Sequence, residues 1–148
     1  MNQAADEVLA QINQYGWYVY IVCDPHGFKP NFAYSVGFWH SFRHPEIIIF
    51  GLDVDDLHGI INDIGESVKS GLKIVPDKPY AEFLSEYDCV FRAVNKKYYG
   101  EYPLVADGFY RGEFPILQCF WPDSHSIFPW EKGFDPTLIE SQPLLYLT

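Results

Sequence analysis

Apolar positions change period several times along the chain, and each change marks an element. Over residues 4–15, Val8, Leu9, Ile12 and Tyr15 recur at helical spacing, and Gly16 follows where a left-handed cap belongs, which predicts a short amphipathic helix. Residues 17–22 are β-branched and aromatic throughout, and Asp24-Pro25-His26-Gly27 carries turn chemistry before a second strand over 32–38, so these two predict a hairpin. Ile47-Ile48-Ile49-Phe50 is an unbroken apolar run, the pattern of a strand covered on both faces. Asp53 then caps a long helix over about 54–70, whose buried stripe is Val54, Leu57, Ile60, Ile61, Ile64 and Val68, closed by Gly71. Asp53, Asp55 and Asp56 suit the positive end of its dipole. Further on, the pattern predicts a helical turn over 80–86 and strands over 89–94 and 114–121. It also predicts a tyrosine- and glycine-rich surface excursion over 96–112, and irregular packing over 134–148.

Runs of strands interrupted by one long helix argue for an α+β fold with a mainly antiparallel, curved or barrel-like sheet. At 148 residues, 48% hydrophobic and 18% aromatic, the chain supports one well-buried core, read as a single globular domain over 1–148. No repeat or low-complexity segment interrupts it.

Twenty acidic residues against ten basic ones give a formal charge of −10. That balance opposes phosphate backbones and anionic lipid, so nucleic acid and membrane are disfavoured as partners, and a basic protein is favoured; it also serves solubility. The first seven residues lack the basic start and apolar run of a secretory signal, and no later stretch is long and apolar enough to span a bilayer, so a cytoplasmic location is expected. Cys23, Cys89 and Cys119 are odd in number, far apart and each flanked by strand-like apolar residues, which suits reduced, buried thiols.

Candidate chemistry concentrates in two segments. Tyr34 and Ser35 in the second strand, followed by His44-Pro45-Glu46, place a hydroxyl, an imidazole and a carboxylate around adjacent strands. A nucleophilic set needs the imidazole against the hydroxyl, and Ser35 has no nucleophile elbow, so the structural reading is favoured: Glu46 accepts backbone or imidazole hydrogen bonds and Gly37 marks a bulge or a close backbone approach. The second segment, Trp121-Pro122-Asp123 through Phe128-Pro129-Trp130, joins rigid prolines to large rings and an Asp-x-His pair. Its structural reading is that Asp123 caps a turn while Trp121 and Trp130 close the edge of the core. His40, His44, Glu46, Asp123 and His125 could form a mixed metal site only if the fold gathers them, and no metal is expected. Glycine-rich phosphate loops are absent, and Tyr98, Tyr99, Tyr102, Phe109 and Tyr110 could form an aromatic recognition surface or simply cover the sheet.

Taken in order, Ala33-Tyr34-Ser35-Val36-Gly37-Phe38, His44-Pro45-Glu46, Phe50-Gly51-Leu52, Trp121-Pro122-Asp123, Phe128-Pro129-Trp130 and Gln142-Pro143 resemble the bacterial domain-of-unknown-function family 4262. The similarity runs from about residue 16 to residue 145. Ser35 stands where that family usually has threonine, and Ser126 where it usually has glycine. The resemblance implies a family and no reaction. The order of elements is also similar to split-barrel flavin-binding proteins, which use strand-end hydroxyls and amides to hold a flavin phosphate at a dimer interface; Ser35 is the nearest candidate for that role.

Two functions compete. The first is a binding protein without catalysis or cofactor, of the immunity type that neutralises a bacterial toxin, motivated by small size, acidity and many aromatic residues. The second is a small-molecule or flavin site lined by Tyr34, Ser35, His44, Glu46, Trp121, Asp123 and Trp130, which requires those side chains to converge. A homodimer is compatible with either.

Overall fold

The structure is a computed structural model that describes residues 3–148, with side chains from residue 5 onward; Met1 and Asn2, part of the segment read for a secretion signal, lie outside the described residues. Helix α1 (Gln3–Tyr15) leads into β1 (Tyr18–Val22), which pairs antiparallel with β2 (Phe32–Val36) as the hairpin reading predicts. A short α2 (Phe38–Phe42) precedes β3 (Glu46–Phe50), and α3 (Val54–Lys69) follows. The second half supplies β4 (Pro79–Tyr80), β5 (Cys89–Ala93), a 3₁₀ turn (Lys96–Tyr98), α4 (Leu104–Tyr110), β6 (Ile116–Phe120) and a last 3₁₀ turn (Pro136–Leu138).

All six strands form one sheet in the order β1-β2-β3-β6-β5-β4. The fold is α+β and mainly antiparallel, as the pattern predicts. The sheet stays open: β1 and β4 are its two edges, so the barrel-like alternative is set aside. Closure would need pairing between those edges, and β4 offers only two residues for it. The central pair, β3 with β6, is parallel, with Glu46 opposite Ile116 and Ile49 opposite Cys119. Both strands are buried at every position, which is why Ile47 to Phe50 of β3 read as an unbroken apolar run; β6 has the same burial but carries a polar residue, Gln118, at its centre.

Side-chain alternation divides the core into two layers. Ala33, Ile47, Ile49, Phe91, Leu117 and Cys119 face α3, which contributes Leu57, Ile61, Ile64 and Val68. On the opposite face, Tyr34, Ile48, Phe50 and Ile116 meet Val8 and Ile12 of α1, Ala106 of α4 and Leu145 of the tail. The Asp53 carboxylate accepts the Asp56 amide at 2.9 Å and so caps α3 as expected. Val54, in the first turn, is 38% exposed and falls outside the buried stripe.

Other expectations differ from the structure as well: Cys89 and Cys119 are buried in the sheet, but Cys23, just past the end of β1, is exposed. The second strand ends at Val36, because the amides of Gly37, Phe38 and Trp39 turn toward the Glu46 carboxylate and start α2. Residues 81–87 form bends, since Pro79–Tyr80 pairs with β5 and Phe83 turns into the core against Phe91. Residues 96–112 are a covering layer: the Tyr99 hydroxyl donates to the Phe114 carbonyl at 2.8 Å, and Tyr99 and Ala106 are buried. No helix among the described residues is long and apolar enough to cross a membrane.

Candidate functional site

Four of the seven sequence candidates, Ser35 with Glu46 and Trp121 with Asp123, form two locks at opposite ends of β3, while Tyr34, His44 and Trp130 lie outside both. At the start of β3, Glu46 is fully buried and its carboxylate collects five donors. Ser35 Oγ and the Phe38 amide bond Oε1 at 2.7 and 3.1 Å; the amides of Gly37 and Trp39 and the Tyr110 hydroxyl bond Oε2 at 2.9, 3.2 and 2.5 Å. Burial pushes the Glu46 carboxyl above its ordinary value, while the hydrogen bonds from Tyr110, Ser35 and the amides pull the other way. The Ser35 and Tyr110 oxygens already accept other amides, from Ile47 and from Gly37 and His40 respectively, which leaves no good acceptor for a carboxyl proton. Glu46 therefore acts as a buried anion that organises the start of α2 and ties it to α4. Burial, and then the Glu46 charge, raise Tyr110 and keep it a neutral donor.

Gly37 makes this lock sterically feasible. Its φ is +130°, and a Cβ there would sit 2.6 Å from both the Gly16 carbonyl oxygen and the Trp17 Cα.

His44 takes no part. Its Nδ1 donates to the Pro45 carbonyl at 2.8 Å and its Nε2 accepts the Ile74 amide at 3.0 Å, an arrangement only the neutral ring can make. Burial, opposed by the Pro45 bond and assisted by Lys73, lowers its pKa. Ser35 and Glu46 thus meet directly, while both nitrogens of His44 are committed elsewhere, and no Ser–His–Glu relay exists. Ser35 is fully buried and both its hydrogen-bonding capacities are used, so it does not fit the flavin phosphate role.

The second lock lies beyond the carboxyl ends of β3 and β6. Trp121 donates from Nε1 to the Phe50 carbonyl at 2.7 Å, and its backbone exchanges two bonds with the Gln142 side chain at 3.0 and 2.9 Å. Gln118 makes a similar exchange with Pro143 and Leu145, at 2.7 and 3.1 Å. Gly51 allows the tail to pass, since a Cβ there would lie 2.6 Å from the Ser141 carbonyl oxygen. Asp123 is buried and accepts the amides of His125, Ile127 and Asp135 at 2.9, 3.0 and 3.0 Å. Burial works to raise its carboxyl, but those amides outweigh it and hold the group below its ordinary value. The turn that Asp123 caps places Ser126 at φ 64°, the left-handed region that favours glycine.

Trp130 stands apart, stacked on Phe128, with the Arg92 guanidinium 3.7 Å from its ring centroid and 4.5 Å from that of Tyr146. Among the described residues no three His, Cys, Asp or Glu side chains are grouped so as to hold a metal ion.

Among the clefts of the described residues, two with contrasting linings lie on opposite faces of the sheet. On the α3 face, Asp55, Asp56 and Asp63 border a 460 Å³ cleft with Leu52, Phe83, Tyr87 and Trp121. On the other face, a 600 Å³ cleft is lined by Tyr20, Phe32, Tyr34 and Phe50 below Tyr102 and Leu104. Of the sequence candidates, Trp121 lines the first and Tyr34 the second. Tyr102 of the second belongs to the aromatic set read from the sequence; the rest of each lining was not read as a site, although Asp55, Gly59 and Asp63 follow an i, i+4, i+8 line on α3 that could have signalled it.

No curated protein and no solved structure matches the chain. The family model described as Domain of unknown function (DUF4262) matches residues 11–135, a span that holds Ser35, Gly37, Glu46 and Tyr110 of the first lock and Gly51, Trp121 and Asp123 of the second, and the chain belongs to that family.

Proposed function

We propose that this protein is a binding protein without catalysis of its own, which receives a basic protein partner at the acidic cleft in the manner of an immunity protein neutralising a toxin. One observation carries the reading: uncompensated carboxylates and large rings share a single open cleft. Asp55, Asp56 and Asp63 border it, no lysine or arginine lines it, and no ion pair among the described residues neutralises the three. Asp56 is raised from its ordinary value by its bond to the Asp53 carboxyl and by repulsion from Asp53 and Asp55, in keeping with unmet negative charge. Beside it, Trp121, Phe83 and Tyr87 offer apolar surface to the stem of an arginine or lysine whose head meets the carboxylates. Ser35, Glu46, Asp123 and Gln142, by contrast, are occupied in the two locks, which favours recognition over chemistry.

Affinity capture from the native host tests this with two baits, the natural chain and a triple Asp55→Asn, Asp56→Asn, Asp63→Asn variant. The expected result is one basic protein that the natural chain retains at low salt and releases at high salt, and that the variant fails to retain. Equal capture by both baits would overturn the reading, as would the lack of any salt-sensitive basic partner.

A further inference from the structure

The cleft on the other face of the sheet differs in chemistry. Its floor is a series of rings crossing three strands: Tyr20 on Tyr34 at 5.6 Å, Tyr34 by Phe32 at 6.3 Å, and Phe32 on Phe50 at 4.9 Å, with interplanar angles between 18° and 29°. Tyr102 stands edge-on to Phe32 and Phe50 and forms a wall. Val22 and Leu104, 39% and 57% exposed, leave apolar surface open at the mouth. A 600 Å³ space with this lining has the size and character of a small-molecule pocket and holds two fused rings with ease.

Two polar features restrict the occupant. Tyr34 is 2% exposed, and its hydroxyl accepts the Val105 amide at 3.0 Å, but the phenolic proton has no acceptor among the described residues. A buried donor left over beside a cavity calls for an acceptor on whatever fills it. At the rim, Glu101 and Glu140 outnumber Lys29, so the local charge, like the overall one, disfavours an anion.

We propose that this cleft is the binding site for a small, planar, non-anionic aromatic molecule carrying a hydrogen-bond acceptor that takes the Tyr34 proton. The site is independent of the acidic cleft, and the small-molecule reading of the sequence is thereby moved from the Ser35 and Glu46 lock to the ring-lined face.

Quinoline, a neutral two-ring molecule with one acceptor nitrogen, and quinoline-4-carboxylate, its anionic counterpart, serve as probes in a backbone-amide NMR titration of the full chain. The expected result is saturable quinoline shifts centred on residues of β1, β2 and the start of α4, with the carboxylate roughly tenfold weaker. Leu104→Glu, at an exposed first position of α4 where a carboxylate suits the helix, should weaken quinoline about tenfold by charging the apolar mouth. Tyr34→Phe should weaken it about threefold or more through loss of the donor. The proposal is overturned by the lack of saturable shifts up to about 10 mM quinoline, by equal binding of the two probes, or by an unchanged Leu104→Glu variant with a natural amide spectrum.

Discussion

The Tyr110 hydroxyl donates to Glu46 Oε2 at 2.5 Å across 64 residues of sequence, and in the same position it accepts the amides of Gly37 and His40. One phenol therefore links α4, the start of α2 and the buried carboxylate. Removing it in Tyr110→Phe leaves the His40 amide without that acceptor and Glu46 short of a donor, and should cost about 1–3 kcal/mol in urea unfolding. Glu46→Gln should cost more, at least about 3 kcal/mol, because its amide nitrogen would face donors wherever it points. A Glu46→Gln protein as stable as the natural one would disprove the buried-anion role.

Gly65 of α3 sits against the Trp17 indole, where a Cβ would come within 2.5 Å of ring atoms. The ring has little room to retreat, being packed on Phe38 and Phe42 and bonded from Nε1 to Asn62 at 3.0 Å. Gly65→Ala should therefore destabilise by about 1–3 kcal/mol despite the better helix propensity of alanine. Gly59, in the same helix, provides the contrast, since a Cβ there would meet nothing within 4 Å. Gly59→Ala should stabilise by up to about 1 kcal/mol. Denaturant midpoints for the pair decide the matter: a shift of the same sign for both would remove the packing argument.

Protonating His44 forfeits the Ile74 bond and charges a buried ring. Its folded pKa lies below the ordinary 6.5, so its contribution is fully present above that value and is lost as pH falls through the depressed folded pKa. The natural chain should lose thermal stability on acidification below pH 6.5, and His44→Gln, which cannot titrate, should show a flatter profile over the same window. Parallel profiles for the two proteins would rule out His44 as the source.

Ser126 holds a left-handed conformation on an exposed turn. Ser126→Gly should raise stability by roughly 0.5–1 kcal/mol, the relief of backbone strain exceeding the entropy cost of glycine. A lower melting temperature for Ser126→Gly would show that the serine side chain contributes more than the relief of strain returns.

Elements with a strong period were legible in the sequence. The stripe and Asp53 cap of α3, the hairpin of β1 and β2, and the burial of β3 all follow from residues read in a window of a few turns. Long-range partners were not. Nothing near Glu46 announces Tyr110, and nothing near Trp121 announces Gln142, because each pairing depends on how α4 and the tail dock. The motif residues serve the fold more than a common site: Ser35 with Glu46, and Gly51 with Trp121 and Gln142, hold the layers together. Both clefts are illegible for a related reason, since Tyr20 with Tyr102, and Asp63 with Trp121, become neighbours only after the layers assemble.

The parallel seam between β3 and β6 has a consequence for biosynthesis. Residues 3–69 make one half of the sheet with its helix, and the other half arrives much later, joined chiefly through Glu46–Phe50 and Ile116–Phe120. A nascent or truncated chain ending before residue 116 carries a fully apolar-flanked strand with a bare hydrogen-bonding margin, a template for pairing with another copy. Chains that end before residue 116 leave that margin of β3 unpaired, whereas completion of β6 covers it.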